Sequence, residues 1–188
     1  MNNIYYHKID STSGDFTESQ EPNDSEVCVA LGSNLGDRLE NIYRGVKFLN
    51  TFHTGKQPLL VSSVYETEPV DCPAASPRFL NAVCVLTCSI DPEVLLKEIK
   101  QFEQSVGRNL QARRNSPRPL DMDIIYYGSY VCRSPHLTLP HPRAHQRKFV
   151  LAPLAELRPY LCLPGHEKTV LQLLDTVATT EIICRVKS

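Results

Sequence analysis

At 188 residues the chain can bury the core of one domain, and its 41% hydrophobic and 22% charged residues exclude a disordered or fibrous class. A formal net charge of −1 and a pI near 6.6 exclude the strongly basic footprint of a nucleic-acid binder, so any anionic ligand must be met locally. Seven cysteines, never in a Cys-x-x-Cys pair, argue against a disulfide framework or zinc site; with no signal-like start and no apolar run approaching ~18 residues, the expectation is a cytoplasmic protein with no membrane partner.

Met1 to Glu26 are rich in Ser, Asp, Glu, Asn and Thr, which predicts a flexible N-terminal extension without chemistry ahead of a domain over 27–188. Val27 to Leu31 reads as a strand and runs into the turn Gly32-Ser33-Asn34-Leu35-Gly36-Asp37. Asp37 with Glu40 resembles a capping box, and Leu39, Ile42, Val46 and Leu49 then recur at helical spacing. The turn lacks the Lys and Ser/Thr of a P-loop and by itself is a weak ligand signal. Leu59 to Tyr65 predicts a second strand and Phe79 to Ile90 a third, with Phe79 and Asn81 on one face. Asp91-Pro92 opens the clearest helix: Leu95, Leu96, Ile99, Phe102 and Val106 point inward, Gly107 stops it, and Glu103 lies near its end.

The stretch from Gly107 to Gly128 is the most informative. Its second half, Leu120 to Tyr127, is apolar and β-rich, yet carries Asp121 and Asp123 near its start. Strand alternation sends both carboxylates to one face with backbones roughly 6.5–7 Å apart, a spacing that suits two Mg²⁺ ions clamping phosphates. Arg108, Arg113, Arg114 and Arg118 lie just upstream, and no acidic residue stands between Gln104 and Leu120. Metal on one side and guanidinium groups on the other read as a polyphosphate site. On spacing alone, a solvated acidic edge strand explains the pair equally well.

Tyr130 to Thr138 follows as a hairpin partner or edge, then the rigid loop Leu139-Pro140-His141-Pro142-Arg143. His141 stands between prolines beside Arg143, Arg147 and Lys148, where a phosphate contact and a structural role are both open. Phe149 to Leu154 predicts a short helix, Thr169 to Val177 another, and Ile182 to Val186 an edge strand. Strand–helix–strand–strand–helix–strand is the order of an α+β, ferredoxin-like antiparallel sheet with helices packed on it, elaborated here toward a three-layer α/β/α arrangement. That fold hosts metal carriers, RNA binders and enzymes alike.

Taken together, ALGSNLGD, VYETEPV, FLNAV, GR, PRPLDMDIIYYG and LPHPRAHQRKFVLAPL, in this order from about Val27 to Leu173, resemble the 6-hydroxymethyl-7,8-dihydropterin pyrophosphokinase family of folate biosynthesis. The resemblance implies that ATP donates its β,γ-pyrophosphoryl group to the hydroxymethyl oxygen of the pterin, leaving AMP. By motif, Asp121 and Asp123 would hold two Mg²⁺ ions; Arg108 and Arg118 would contact the phosphates and count with them as catalytic; His141 and Arg147 would lie on the far side. Glu103, Ile124 and Thr138 match positions around ATP. For the pterin, the resemblance implies stacking by Phe79 and Phe149, polar contacts from Thr67, Val70 and Asn81, and a lining of Gly32 and Pro69. The arginine loop would act as a lid, and Asn115, Ser116 and His136 depart from the common pattern there and at the adenine contacts.

Relatives of this kind are often fused to dihydropteroate synthase or dihydroneopterin aldolase, so such a partner is an expectation as well. A nucleotidyltransferase-like enzyme would also use paired aspartates, but Arg-Pro-Leu stands where it should carry Gly-Ser. An RNA-binding sheet would need interleaved aromatic and basic residues, and only Phe79 marks the third strand.

Overall fold

The computed structural model describes residues 24–69, 76–108, 116–178 and 182–186. Within them the chain runs β1 (Ser25–Ser33), α1 (Arg38–Asn50), β2 (Leu60–Val61), β3 (Tyr65–Thr67), β4 (Phe79–Cys88), α2 (Pro92–Ser105), β5 (Asp121–Tyr127), β6 (Cys132–Arg133), β7 (Thr138–Leu139), a 3₁₀ turn (Ala144–Gln146), α3 (Lys148–Leu157), α4 (Val170–Thr176) and β8 (Ile183–Arg185). The main sheet is antiparallel in the order β5-β1-β4-β3-β8, with β2 also on β4. The mixed α/β, antiparallel expectation therefore holds.

Both faces of the sheet are covered, because β1 and β4 are buried almost throughout and alternate side chains between two cores. On one face Val27, Val29, Leu31, Leu86 and Met122 pack with Ile42 and Leu49 of α1 and Leu95 and Ile99 of α2. On the other, Cys28, Val83, Val85 and Ile125 meet Val150, Leu151 and Leu154 of α3 and Val170 and Leu173 of α4. A register shift between Cys28 and Val29 marks a bulge against β5, and there Ile125 and Tyr126 both join the second core.

The helix caps follow sequence chemistry. Asp37 accepts from the Glu40 amide, Asp91 from the Glu93 and Val94 amides, and Thr169 with Gln172 completes a capping box on α4. Gly107, at φ 100, takes the left-handed turn that ends α2 and sends the chain toward the arginine stretch.

Four expectations need correction. Ser25 and Glu26, assigned to the extension, are the first residues of β1. The run Leu59 to Tyr65 is not one strand: the Ser62 hydroxyl accepts from the Val83 amide in place of a ladder carbonyl, and the chain breaks into β2 and β3. Leu39 faces solvent, 56% exposed; Asn41 turns inward in its place, bonded to Ser33 and the Leu35 carbonyl. Tyr130 to Thr138 supplies only β6 and β7, which pair with each other in a separate two-stranded sheet.

Candidate active site

Gly32 of β1 pairs with Asp121 of β5 on one side and with Asn81 of β4 on the other; Asn81 in turn pairs with Tyr65 of β3. Directly opposed residues share a sheet face, so Asp121, Gly32 and Asn81 form one row beneath the second core's face. Asp123, opposite Ala30, stands on that face too. With strands ~4.8 Å apart, the Asp121 carboxylate and the Asn81 amide start from backbones about 10 Å apart.

The Asp121 end is dense with charge. Arg108, just past α2, donates to Oδ1 of Asp121 at 2.7 Å and to Glu103, while Arg118 donates to Oδ2 at 2.6 Å. Burial alone raises a carboxyl pKa, but the Arg118 and Arg108 guanidiniums outweigh it and hold Asp121 below the usual carboxylate range. Glu103 is fully buried; one oxygen accepts from the Met122 amide at 2.6 Å and from Lys100 at 3.1 Å. Desolvation pushes the Glu103 carboxyl up, with Asp121 adding to the rise and Lys100 and Arg108 opposing it. Lys100 also donates to the Met122 carbonyl at 3.0 Å and lies 3.9 Å from Asp123. Glu103 and Lys100 thus serve the outer edge of β5 as a missing strand would.

Sequence reasoning named Glu103 but gave no physical reason for it, and missed Lys100; helical i, i+3 spacing on the side facing β5 was the available signal. Lys100 also lines a cavity of about 400 Å³ with Glu93, Leu96, Lys97 and His136. Ile124 is buried in the α1/α2 core, which leaves its side chain without ligand surface. His141 donates its amide to the Ile125 carbonyl at 2.8 Å and accepts from the Arg143 amide at 3.2 Å, which ties its loop to β5. Burial lowers its imidazole pKa, aided by Arg147 and Arg143 and opposed by Asp123.

The Asn81 end is neutral. The Asn81 amide donates to the Thr67 hydroxyl at 2.8 Å, and both side chains are buried. A Cβ on Gly32 would stand 3.3 Å from the Asn81 amide oxygen and 3.6 Å from the Phe79 ring, so glycine keeps this corner open. Arg118 lies 5.8 Å above the Phe79 ring, which brings a cationic and an aromatic group together at the boundary between the two ends, and Arg147 lies 5.3 Å above the ring of Phe149 near the start of α3. Thr138 is half-buried in β7 and Pro69 half-buried after β3; Val70 and Arg113 to Asn115 lie outside the described residues.

Two same-face carboxylates suit a hard, oxygen-seeking ion that completes its shell with phosphate and water, as Mg²⁺ does. Among the described residues no cluster of three or more His, Cys, Asp or Glu forms a self-sufficient metal cage. The Arg118 Nε is buried and makes no hydrogen bond among the described residues, a donor suited to a phosphate oxygen.

The two-faced sheet is shared with a solved Plasmodium falciparum HPPK-DHPS structure, wild type with pterin and p-hydroxybenzoate, at TM-score 0.64 and 16% identity over 84% of this chain and 44% of that one. Residues 28–159 match the 7,8-dihydro-6-hydroxymethylpterin-pyrophosphokinase (HPPK) family, and the chain belongs to it. It is 34% identical to the 2-amino-4-hydroxy-6-hydroxymethyldihydropteridine pyrophosphokinase of Synechocystis sp. over 83% of this chain and 78% of that protein. It is 40% identical to a folate synthesis bifunctional protein of Arabidopsis thaliana over 76% of this chain but only 29% of that one. With a Pneumocystis carinii folic acid synthesis protein the identity is 36% over 91% and 23%, so the chain spans about a quarter of such relatives.

Proposed function

We propose that this chain transfers the β,γ-pyrophosphoryl group of ATP to 6-hydroxymethyl-7,8-dihydropterin, giving AMP and the pterin diphosphate in folate biosynthesis. The observation that carries the reading is the row Asp121–Gly32–Asn81, which supports a phosphate-handling end and a flat-ring end side by side on one face. The hydroxymethyl oxygen attacks the β phosphorus, the bond from that phosphorus to the α,β-bridging oxygen breaks, AMP leaves with that oxygen, and the hydroxyl proton passes to solvent.

Asp121 and Asp123 would hold two Mg²⁺ ions, which neutralise phosphate charge and acidify the attacking hydroxyl when bound. Arg118 and Arg108 already sit on Asp121 and would turn to the phosphates. Glu103 fixes Arg108 and Lys100; His141 and Arg147 would meet the phosphates from the far side, with Thr138 and Ile124 lying near the nucleotide. The cavity between Leu96 and His136 has the size to receive the adenosine end of ATP. Phe79 and Phe149 would sandwich the pterin while Thr67 and Asn81 meet its polar edge, with Gly32, Pro69 and Val70 lining the pocket.

The β5-β1-β4-β3 order supports a ferredoxin-like reading of the fold. Free cysteines at every described position support a reducing, cytoplasmic setting, and the longer relatives support attachment to or association with dihydropteroate synthase or dihydroneopterin aldolase. Incubation with ATP, Mg²⁺ and the pterin tests the chemistry. AMP formed only with the pterin present is expected; ADP, free pyrophosphate or no product overturns the reading.

A further inference from the structure

Between the two ends of the site lies Asn34, 1% exposed and just beyond β1. Its amide oxygen accepts from the Arg118 backbone N–H at 2.8 Å, its amide nitrogen donates to the Pro77 carbonyl at 3.3 Å, and its own backbone N–H donates to the Arg118 carbonyl at 3.2 Å. A backbone N–H only donates and a carbonyl only accepts, so the orientation of the Asn34 amide is dictated by its partners. One small group therefore joins the residue that carries a guanidinium onto Asp121 to the backbone two residues before Phe79.

The geometry points to Asn34 as a positioning residue for the transfer, a role that rests on the function proposed above. It touches neither substrate; it sets the offset between Arg118 on the phosphates and Phe79 against the acceptor ring. The chemistry of the contact is selective. Aspartate has the same shape and keeps the acceptor for Arg118, but presents an oxygen to the Pro77 carbonyl where a donor is required. Serine is too short to span both partners. Each change loosens one element against the other without removing a ligand contact, and an offset near 1 Å between reacting groups costs about 10²-fold in rate.

The test uses the full chain and two variants, Asn34→Asp and Asn34→Ser, each first checked for cooperative thermal unfolding; the isosteric aspartate serves should the serine variant not fold. Calorimetry measures the pterin alone and a non-cleavable Mg²⁺–ATP analogue alone, and initial rates give kcat at saturation. The expected result is ligand affinities within about threefold of the unaltered chain with kcat down about 10²-fold. Unaltered kcat in folded variants, or loss of both affinities in step with a fallen Tm, overturns the positioning role and leaves the proposed function standing. An unaltered chain that forms no AMP overturns the function and this inference with it.

Discussion

The two ends of the site are built on opposite physical plans. Around Asp121, six ionisable side chains neutralise one another: Lys100, Arg108 and Arg118 against Glu103, Asp121 and Asp123. Around Asn81 the groups are an amide, a hydroxyl, a glycine and an aromatic ring. The charged end is a network in which losing one partner leaves another uncompensated, whereas the neutral end is a shape whose parts act more nearly alone. Substitutions should therefore sort by end.

The largest effect belongs to the charged end. Asp121→Asn or Asp123→Asn should cut turnover by on the order of 10³-fold or more, since either removes a carboxylate proposed to hold the Mg²⁺ ions that would neutralise the negative charge of the transferring phosphoryl group. Pterin affinity should stay near normal, and AMP assays with pterin titrations check both. Near-normal turnover in either variant would erase the distinction between the ends. Phe149→Ala should do the converse, weakening the pterin about 10–100-fold through lost ring contact while the ATP analogue binds nearly as before.

The same contrast explains what the sequence made legible. The arginines and aspartates of the charged end fall within Arg108 to Asp123, a span short enough that strand alternation and charge counting find them. Glu103 resists this treatment, because a glutamate on a helix is ordinarily solvated and its burial depends on where α2 meets the edge of β5. The neutral end draws on Gly32, Thr67, Phe79 and Asn81 from three separate strands, brought together only by sheet register, and the Phe149 expected beside them lies near the start of α3. Periodicity placed those elements, but only the resemblance of the ordered motifs assigned them to one pocket. Asn34 escaped both routes, since its partners are backbone groups far along the chain.

Glu103→Gln sharpens the comparison. The amide oxygen still accepts from the Met122 N–H, so β5 stays anchored, but Lys100 and Arg108 lose the charge between them. Leaving such groups unpaired costs about 1–3 kcal/mol, partly offset by removing a charge that burial disfavours, so a net loss toward the lower end of that range is expected. Denaturant titration measures it. A stability unchanged by the substitution would mean that the charged end is not a coupled network.

The smallest expected effect comes from a carboxylate–guanidinium pair at the opposite end of β1. Arg158 contacts Glu26 through both Nε and Nη2, with distances from 2.7 to 3.2 Å, and the Tyr126 hydroxyl donates to Glu26 at 2.7 Å. Partial burial would raise the Glu26 pKa, yet the hydrogen bonds from Arg158 and Tyr126 and the charge of Arg158 leave it lowered from 4.5. A carboxyl with a lowered folded-state pKa binds fewer protons folded than unfolded between the two values, so its stabilisation is complete above about pH 4.5 and fades as pH falls through the lower, folded value. Glu26→Gln should therefore cost less than about 1 kcal/mol near neutrality, since the pair is a third exposed, and should flatten the acid limb of a stability-versus-pH curve below pH 4.5. Both ligands should bind it as they bind the unaltered chain. A shifted ATP affinity in this variant would show that charge reaches the site along β1, and the neutral corner at Gly32 would then not insulate one end of the strand from the other.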